Sequence, residues 1–368
     1  MKLETLETIP VVAKLPKVFQ GSYYKMDSRA TLVTRIRTDD GVTAEVYNGD
    51  EVNTQHEIAR IMQEELWPRI VGMDPLQIQA VRAAMLPVTF DILRDRNLVT
   101  MAIGAIDTAL WDIVGKVAGL PLAQLWGGYT DRLPVIGIGG YYSDDIGDLA
   151  REVEDYLELG INGSKMKVGS ESPTQDAERF LAMRRAGGED FVLMADANQG
   201  YEPQDAVAFA DAVSDHGLRW FEEPVRWYND RRWMRDVRFK ASVPVAAGQS
   251  EHSRAGARDL MLEGAIDVCN YDASWSGGPT EWLAVAGTAR SFGVQMAHHE
   301  EPHIAIHLLA SQPHGTFVEC FHPDRDPIFW QMLANRPELD GSGYPVPSGA
   351  GFGLELDWDW IGSHRVDR

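Results

Sequence analysis

The chain has 368 residues, 55 acidic against 34 basic, and a formal charge of −21. That length exceeds one small domain and suits a barrel-sized unit with a second module, and 44% hydrophobic residues suffice for a large core. The acidic balance excludes a nucleic-acid surface, which needs clustered Lys and Arg, and it would repel an anionic ligand unless a local cation overrode the field.

The opening "MKLETLETIPVVAKLP" carries acids and only a short apolar run, unlike a signal peptide. No apolar run approaches membrane-spanning length, so a soluble, cytoplasmic protein with no membrane partner is expected. Cys269 and Cys320 lie inside apolar runs and are expected as buried thiols of a reducing compartment.

In chain order, "ATLVTRIRTDDGVTAEVYNGD" predicts a hairpin, with alternating strands around "DDG". "EVNTQHEIARIMQEELWPRIVG" predicts an amphipathic helix, and "DPLQIQAVRAAML" a second one started by Asp74. "VTMAIGAIDTALWDIVGKVAG" predicts a mostly apolar helix ending at Gly119, with Pro121 after it. Together these form an α+β module.

From about Leu133 short apolar runs alternate with helical stretches. The runs are "LPVIGIGGYY", "INGSKMKVG", "FVLMADANQ", "LRWFEEP", "VPVAAGQSE", "AIDVCNYDAS", "GVQMAHHEE" and "GTFVECF". Eight strands with intervening helices, such as "IGDLAREVEDYLELG" and "TQDAERFLAMRRAGG", read as an α/β barrel. Nearly every run ends in a chemically active residue: Lys167, Asp196, Glu222, Gln249, Asp272, His299 and Glu319, at successive gaps of 29, 26, 27, 23, 27 and 20. Each gap is the length of one strand plus one helix. Since all C-terminal strand ends of a barrel open on one mouth, these scattered residues should converge in one pocket.

Alone, each acid would more often be a solvated loop carboxylate. In phase, Asp196 and Glu222 suit a hard cation such as Mg²⁺, which prefers oxygen ligands. Gln249 stands where a third carboxylate would be expected. Glu251, of the same strand parity, competes with it as third ligand, and Gln249 is favoured on position. Lys165 and Lys167 share a strand face by alternation. A nearby cation and a second ammonium should lower the pKa of Lys167 and make it a base. Asp272 can fix the tautomer of His299 and raise its basicity, giving a second acid/base group. His298 has the opposite parity and is expected to be structural. Glu319 could bond a substrate carboxylate if protonated. His299, His303 and His307, spaced by four, raise a zinc alternative. Pro302 argues against it, since Pro favours the first helical turn and leaves His299 before the helix.

Taken together, "KMK", "DANQ", "FEEP", the Asp272 strand end followed by "GG", "AHHEEPHIAIHLLA" and "VEC" resemble the enolase superfamily, in its mandelate racemase branch, over essentially the whole chain. The resemblance implies a (β/α)7β-type TIM barrel over residues 131–329, capped by an α+β unit at 1–130 to which the tail 330–368 returns. It implies Lys167 and His299, paired with Asp272, as acid/base groups. Lys165 would neutralise the substrate carboxylate, Asp196, Glu222 and Gln249 would hold Mg²⁺, and Glu319 would sit by the carboxylate. Asn198 would be a polar neighbour, and Tyr23 and Tyr24 would lie in a capping loop. The departure is Gln249, where the family usually has Glu. The implied reaction is α-proton abstraction from a carboxylate through an enediolate. Dehydration of a sugar acid to a 2-keto-3-deoxy acid is favoured over racemisation or lactone cycloisomerisation, and a dimer or octamer is implied.

Overall fold

The computed structural model describes residues 1–49 and 53–366. Asp50 of the expected hairpin stretch, Glu51 and Val52 of the expected helix, and 367–368 of the tail lie outside the described residues.

Strands β1 (Leu3–Gln20), β2 (Lys25–Thr38) and β3 (Thr43–Asn48) form an antiparallel sheet in that order. β2 and β3 are the expected hairpin. Its turn at Gly41 takes φ +93°, a conformation open to glycine without strain. β1 was not anticipated. The expected helix after the hairpin is continuous from Gln55 to Ile70, but residues Ile61–Leu66 widen into a π turn in which Trp67 N–H reaches the Met62 carbonyl. Pro68, which has no N–H to donate, follows at once. Asp74 does not start the next helix. Its carboxylate accepts from Leu76 N–H in a local turn, and the helix runs Ile78–Met85 after Gln77. The apolar helix Arg96–Ala118 ends on left-handed Gly119, as read. By length and composition this helix could cross a membrane, which corrects the expectation that no run was long enough. Its membrane-length window is 72% buried inside the protein, where it packs against β3 and the helix Pro279–Phe292.

After a short β4 (Arg132–Leu133) come eight parallel strands: β5 (Val135–Gly139), β6 (Gly163–Lys167), β7 (Val192–Asp196), β8 (Leu218–Glu222), β9 (Val245–Ala247), β10 (Val268–Asn270), β11 (Gln295–Ala297) and β12 (Val318–Phe321). They are ordered β11-β10-β9-β8-β7-β6-β5-β12. The ring closes through the segment before β12: Met296 N–H donates to His314 O and Thr316 N–H to Met296 O. An α-helix lies between each successive pair of these strands, so the barrel is of (β/α)7β type. Ile136, Met194, Trp220, Ala246, Val268 and Ala297 fill its interior as a dry plug. In the tail, β13 (Tyr344–Pro345) pairs with β4, and Arg365 bridges to Val11 of β1.

The cap helix and barrel meet closely at Gly104, where a Cβ would stand 2.7 Å from the Ser274 carbonyl. Asp107 of the same helix, fully buried, accepts from Thr280 N–H and hydroxyl and pairs with Arg82. Cys269 and Cys320 are free, buried thiols.

Candidate active site

The barrel period brings the strand-end residues together at one mouth. Lys167, Asp196 and Glu222 are the last residues of β6, β7 and β8. Gln249, Asp272 and His299 each lie two residues beyond β9, β10 and β11. Glu319 is inside β12 rather than at its end. The backbone just past these strands is unusual. Asn198, Gln199, Glu223, Glu300 and Glu301 are five of the six non-glycine residues with positive φ among the described residues. Such strain persists where surrounding structure enforces it, often at functional sites.

On the lysine side, Lys165 is completely buried, with its Nζ 2.6 Å from Glu222 and 2.5 Å from Glu319. Lys167 Nζ lies 2.7 Å from Asp196. Asn198 fixes Asp196, donating from its backbone at 2.8 Å and its side chain at 3.2 Å. Trp220 of the barrel plug donates to Glu222 at 3.1 Å, and Asn270 donates to it at 2.9 Å. Three carboxylates thus compete for few cations. Burial and the neighbouring Asp196 and Glu319 carboxylates raise Glu222 to about 7 despite Lys165. Burial works to lower Lys165, but its carboxylate partners prevail and hold it above the ordinary lysine value.

The expected fall in the Lys167 pKa relied on a nearby cation, and the protein's own groups alone give the opposite direction. Burial works to lower its pKa, but the Asp196 carboxylate outweighs it and the net direction is upward. Glu319 accepts from Lys165 on one oxygen and from Glu300 N–H at 2.9 Å on the other.

The geometry favours Gln249 over Glu251 as a third ligand. Glu251 turns away to pair with Arg231 at 2.6 Å. Gln249 is buried, and its Nε2 donates to Glu223 at 3.1 Å while its Oε1 has no partner. A buried carbonyl oxygen left unbonded is costly, and a cation would satisfy it. Asp196, Glu222 and Gln249, on consecutive strands, make an all-oxygen donor set that fits Mg²⁺.

On the histidine side, His299 Nδ1 is 2.9 Å from Asp272, whose other oxygen accepts from Trp275 N–H at 2.9 Å. The Trp275 ring leans over the imidazole at 4.9 Å. Burial works to lower His299, but Glu300, Asp272 and Glu319 raise it to about 9. His298 is structural: Nε2 accepts from Ala273 N–H, leaving Nδ1 to donate to the His299 carbonyl. Asp272, His298 and Glu301 lie close enough to suggest a metal cluster, but both His298 nitrogens are already engaged. The zinc alternative is not met: among the described residues no metal-sized cluster joins His299, His303 and His307. His303 Nε2 bonds the Tyr47 carbonyl and the ring stacks on Tyr47, while both nitrogens of His307 are engaged, by Ala123 N–H and the Phe352 carbonyl. Burial depresses these two histidines to about 3 and about 4.

The capping loop divides. Tyr24 lies with its ring 6.0 Å from Lys167 Nζ, whereas Tyr23 is 68% exposed and accepts from Arg226 on the rim. Sequence reasoning missed Glu300 and Glu301, which bind the cap. Glu300 pairs with Arg29 of β2 at 2.7 Å, and Glu301 bonds Gly49 N–H at the end of β3. The doubled acid in "HHEE" was the signal the sequence offered.

Two family models match the chain: "Mandelate racemase / muconate lactonizing enzyme, N-terminal domain" over residues 6–127 and "Enolase C-terminal domain-like" over 148–360. A D-galactarolactone cycloisomerase from Agrobacterium fabrum is 29% identical, covering 100% of this chain and 99% of its own. An L-talarate/galactarate dehydratase from Salmonella typhimurium is 29% identical, covering 87% and 80% respectively. The crystal structure of a mandelate racemase/muconate lactonizing enzyme from a marine actinobacterium, in complex with magnesium, is 52% identical. It superposes with a TM-score of 0.94 over 99% of both chains. The chain belongs to the enolase superfamily of enzymes, in its mandelate racemase and muconate lactonizing enzyme branch.

Proposed function

We propose that the protein dehydrates a sugar acid, an aldonate or aldarate, to a 2-keto-3-deoxy acid with Mg²⁺ as cofactor. The observation that carries this reading is His299 held between two carboxylates at the same mouth as the buried lysine pair. An imidazole raised to about 9 is charged at neutral pH, and a charged imidazole is a ready acid for a departing hydroxyl.

In this reading Asp196, Glu222 and Gln249 hold the metal, which when bound supplies positive charge that acidifies the proton α to a carboxylate. Lys165, fixed by Glu222 and Glu319, balances negative charge building on the substrate carboxylate. Lys167, once Asp196 is drawn to the cation, would lose its own proton to solvent and, as the neutral amine, take the α-proton to give the enediolate. His299 then protonates the hydroxyl on carbon 3, which leaves as water. Asp272 keeps the imidazole oriented. Asn198, whose Oδ1 is buried without a partner, accepts from a substrate hydroxyl. Tyr24 closes the mouth beside Lys167. The cap unit, 1–130 with the tail 330–368, supplies this loop, and the bridge between Arg365 and Val11 of β1 supports counting the tail with it.

A second reading, cycloisomerisation of a sugar lactone, draws support from the full-length likeness to the D-galactarolactone enzyme. The test is a library of mono- and diacid sugars with purified protein and Mg²⁺, read with semicarbazide for α-keto acids. Keto acid that disappears in Lys167→Ala and His299→Asn is the expected result. A silent library overturns dehydration of those acids. Lactone consumption without keto acid would favour the second reading, and deuterium uptake at carbon 2 alone would favour racemisation.

A further inference from the structure

Two glutamates follow His299, and both reach out of the barrel into the capping sheet. Glu301 bonds Gly49 N–H, at the end of β3, and the Ser274 hydroxyl. Glu300 does something more pointed. Its Oε2 takes Arg29 Nη1 of β2 at 2.7 Å, and its Oε1 lies 3.4 Å from His299 Nε2. Nε2 is the free nitrogen of the imidazole, since Asp272 holds Nδ1. Arg29 is itself fixed, 4% exposed, with Asp326 at 3.4 Å and the Phe321 ring beneath it. A chain of alternating charge therefore runs Asp272, His299, Glu300, Arg29, Asp326, from the barrel to Arg29 of the cap and back to the segment after β12. Glu300 adopts φ +53°, a conformation unfavourable for a non-glycine residue, which the two contacts at its carboxylate maintain.

The geometry points to Glu300 as a positioning residue: anchored by Arg29 of the cap, it holds the Nε2 proton of His299 until a substrate atom takes its place. The inference rests on the reading of His299 as the acid/base group of the site. It adds that the imidazole is loaded as an acid before substrate arrives, and that the cap sheet, through Arg29, aims it.

Other charged groups face His299 and must be weighed. Asp272 approaches from beyond β10, Glu319 from β12, and Glu223 from beyond β8; His298 adjoins it in the chain. Glu301 lies behind Asp272, and Arg325 joins Arg29 against Glu300. Asp272 and Glu300 are the two that reach the ring nitrogens. Removing Glu300 alone leaves every other group in place, so its share can be isolated.

The test follows the His299 ring by NMR in the full-length, ¹⁵N-histidine-labelled protein with Mg²⁺, the signal being identified by its loss in His299→Asn. The wild-type imidazole should titrate near pH 9. Glu300→Gln, which keeps the shape and loses the charge, should lower the midpoint by about one pH unit or more. Glu300→Leu serves the same purpose if the Gln variant does not fold. Glu300→Asp retains a carboxylate and should recover part of the fall, which a merely structural role would not require. A midpoint that stays within about 0.3 pH units of wild type in the folded neutral variant overturns the proposal. Because the titration uses no substrate, that failure leaves the dehydration reading to the keto-acid assay. A silent keto-acid assay alongside an intact shift would overturn the function and not the role of Glu300.

Discussion

The lysine and histidine sides of the mouth are both buried and both charged, yet they are built differently. Around Lys165 and Lys167, three carboxylates share two ammonium groups, and the Gln249 and Asn198 side-chain oxygens lack partners. Around His299 both ring nitrogens face a carboxylate, and the contacts continue into the cap through Arg29 and Gly49. The first region is an incomplete charge set that a cation and a substrate would complete. The second is a closed network that sets one imidazole. In low dielectric, incomplete sets are costly and closed networks rigid, so on the proposed reading the contrast separates the part that would receive ligands from the part that would direct a proton.

The largest expected effect comes from opening the closed side. Asp272→Asn removes the carboxylate at Nδ1 while Trp275 N–H keeps an acceptor. Turnover of whichever acid the library yields should fall by about 10²–10⁴-fold, the range for losing an oriented acid/base group. The variant should still bind Mg²⁺ as wild type in calorimetry. A loss below about tenfold would mean the imidazole is not the proton carrier, and the distinction between the two sides would fail.

Next comes a change on the open side. Gln249→Glu restores a third carboxylate beside Asp196 and Glu222. Carboxylate count tunes affinity for hard cations, so the dissociation constant for Mg²⁺ should drop about tenfold by calorimetry. The new carboxylate would also sit where Gln249 now bonds Glu223, so the metal-free variant should unfold at lower temperature than wild type, with Mg²⁺ reversing the loss. Unchanged affinity would remove Gln249 from the donor set.

Much of this contrast was legible in the sequence because the barrel repeats. A fixed spacing carried Lys167, Asp196, Glu222, Gln249, Asp272 and His299 to one mouth without knowledge of contacts. What the spacing could not convey is pairing. Glu300 finds Arg29 at a separation of 271 residues and Glu301 finds Gly49 at 252, distances at which no local pattern operates. The direction of the Lys167 shift depends on which oxygen it touches, and Tyr23 and Tyr24 part company in a loop without periodicity. β1 escaped notice because Pro10 and Pro16 interrupt its alternation. It is an edge strand, where a missing N–H is tolerated. The π turn before Pro68 and the local turn at Asp74 are departures of a residue or a few from patterns otherwise correctly read.

The smallest effect is expected from Glu301, and it separates a charged contact from a neutral one. Burial, with Asp272 nearby, raises the Glu301 carboxyl well above its ordinary value, which favours its neutral form. A protonated Glu301 can accept from Gly49 N–H on one oxygen and donate from the other to Ser274 Oγ, which also accepts from Asn48. Glutamine offers the same acceptor and donor in the same shape. Glu301→Gln should therefore change stability at pH 5 by less than about 1 kcal/mol in chemical denaturation. The sign with pH follows from linkage. A carboxyl raised on folding contributes stability below its unfolded pKa and loses it as pH rises toward the folded one. Wild type should thus lose stability relative to the variant as pH climbs from about 4.5, and the variant should be the more stable at pH 8. A variant that is destabilised at every pH would mean that Glu301 is ionised in the fold and that the histidine side, like the lysine side, carries an unbalanced charge.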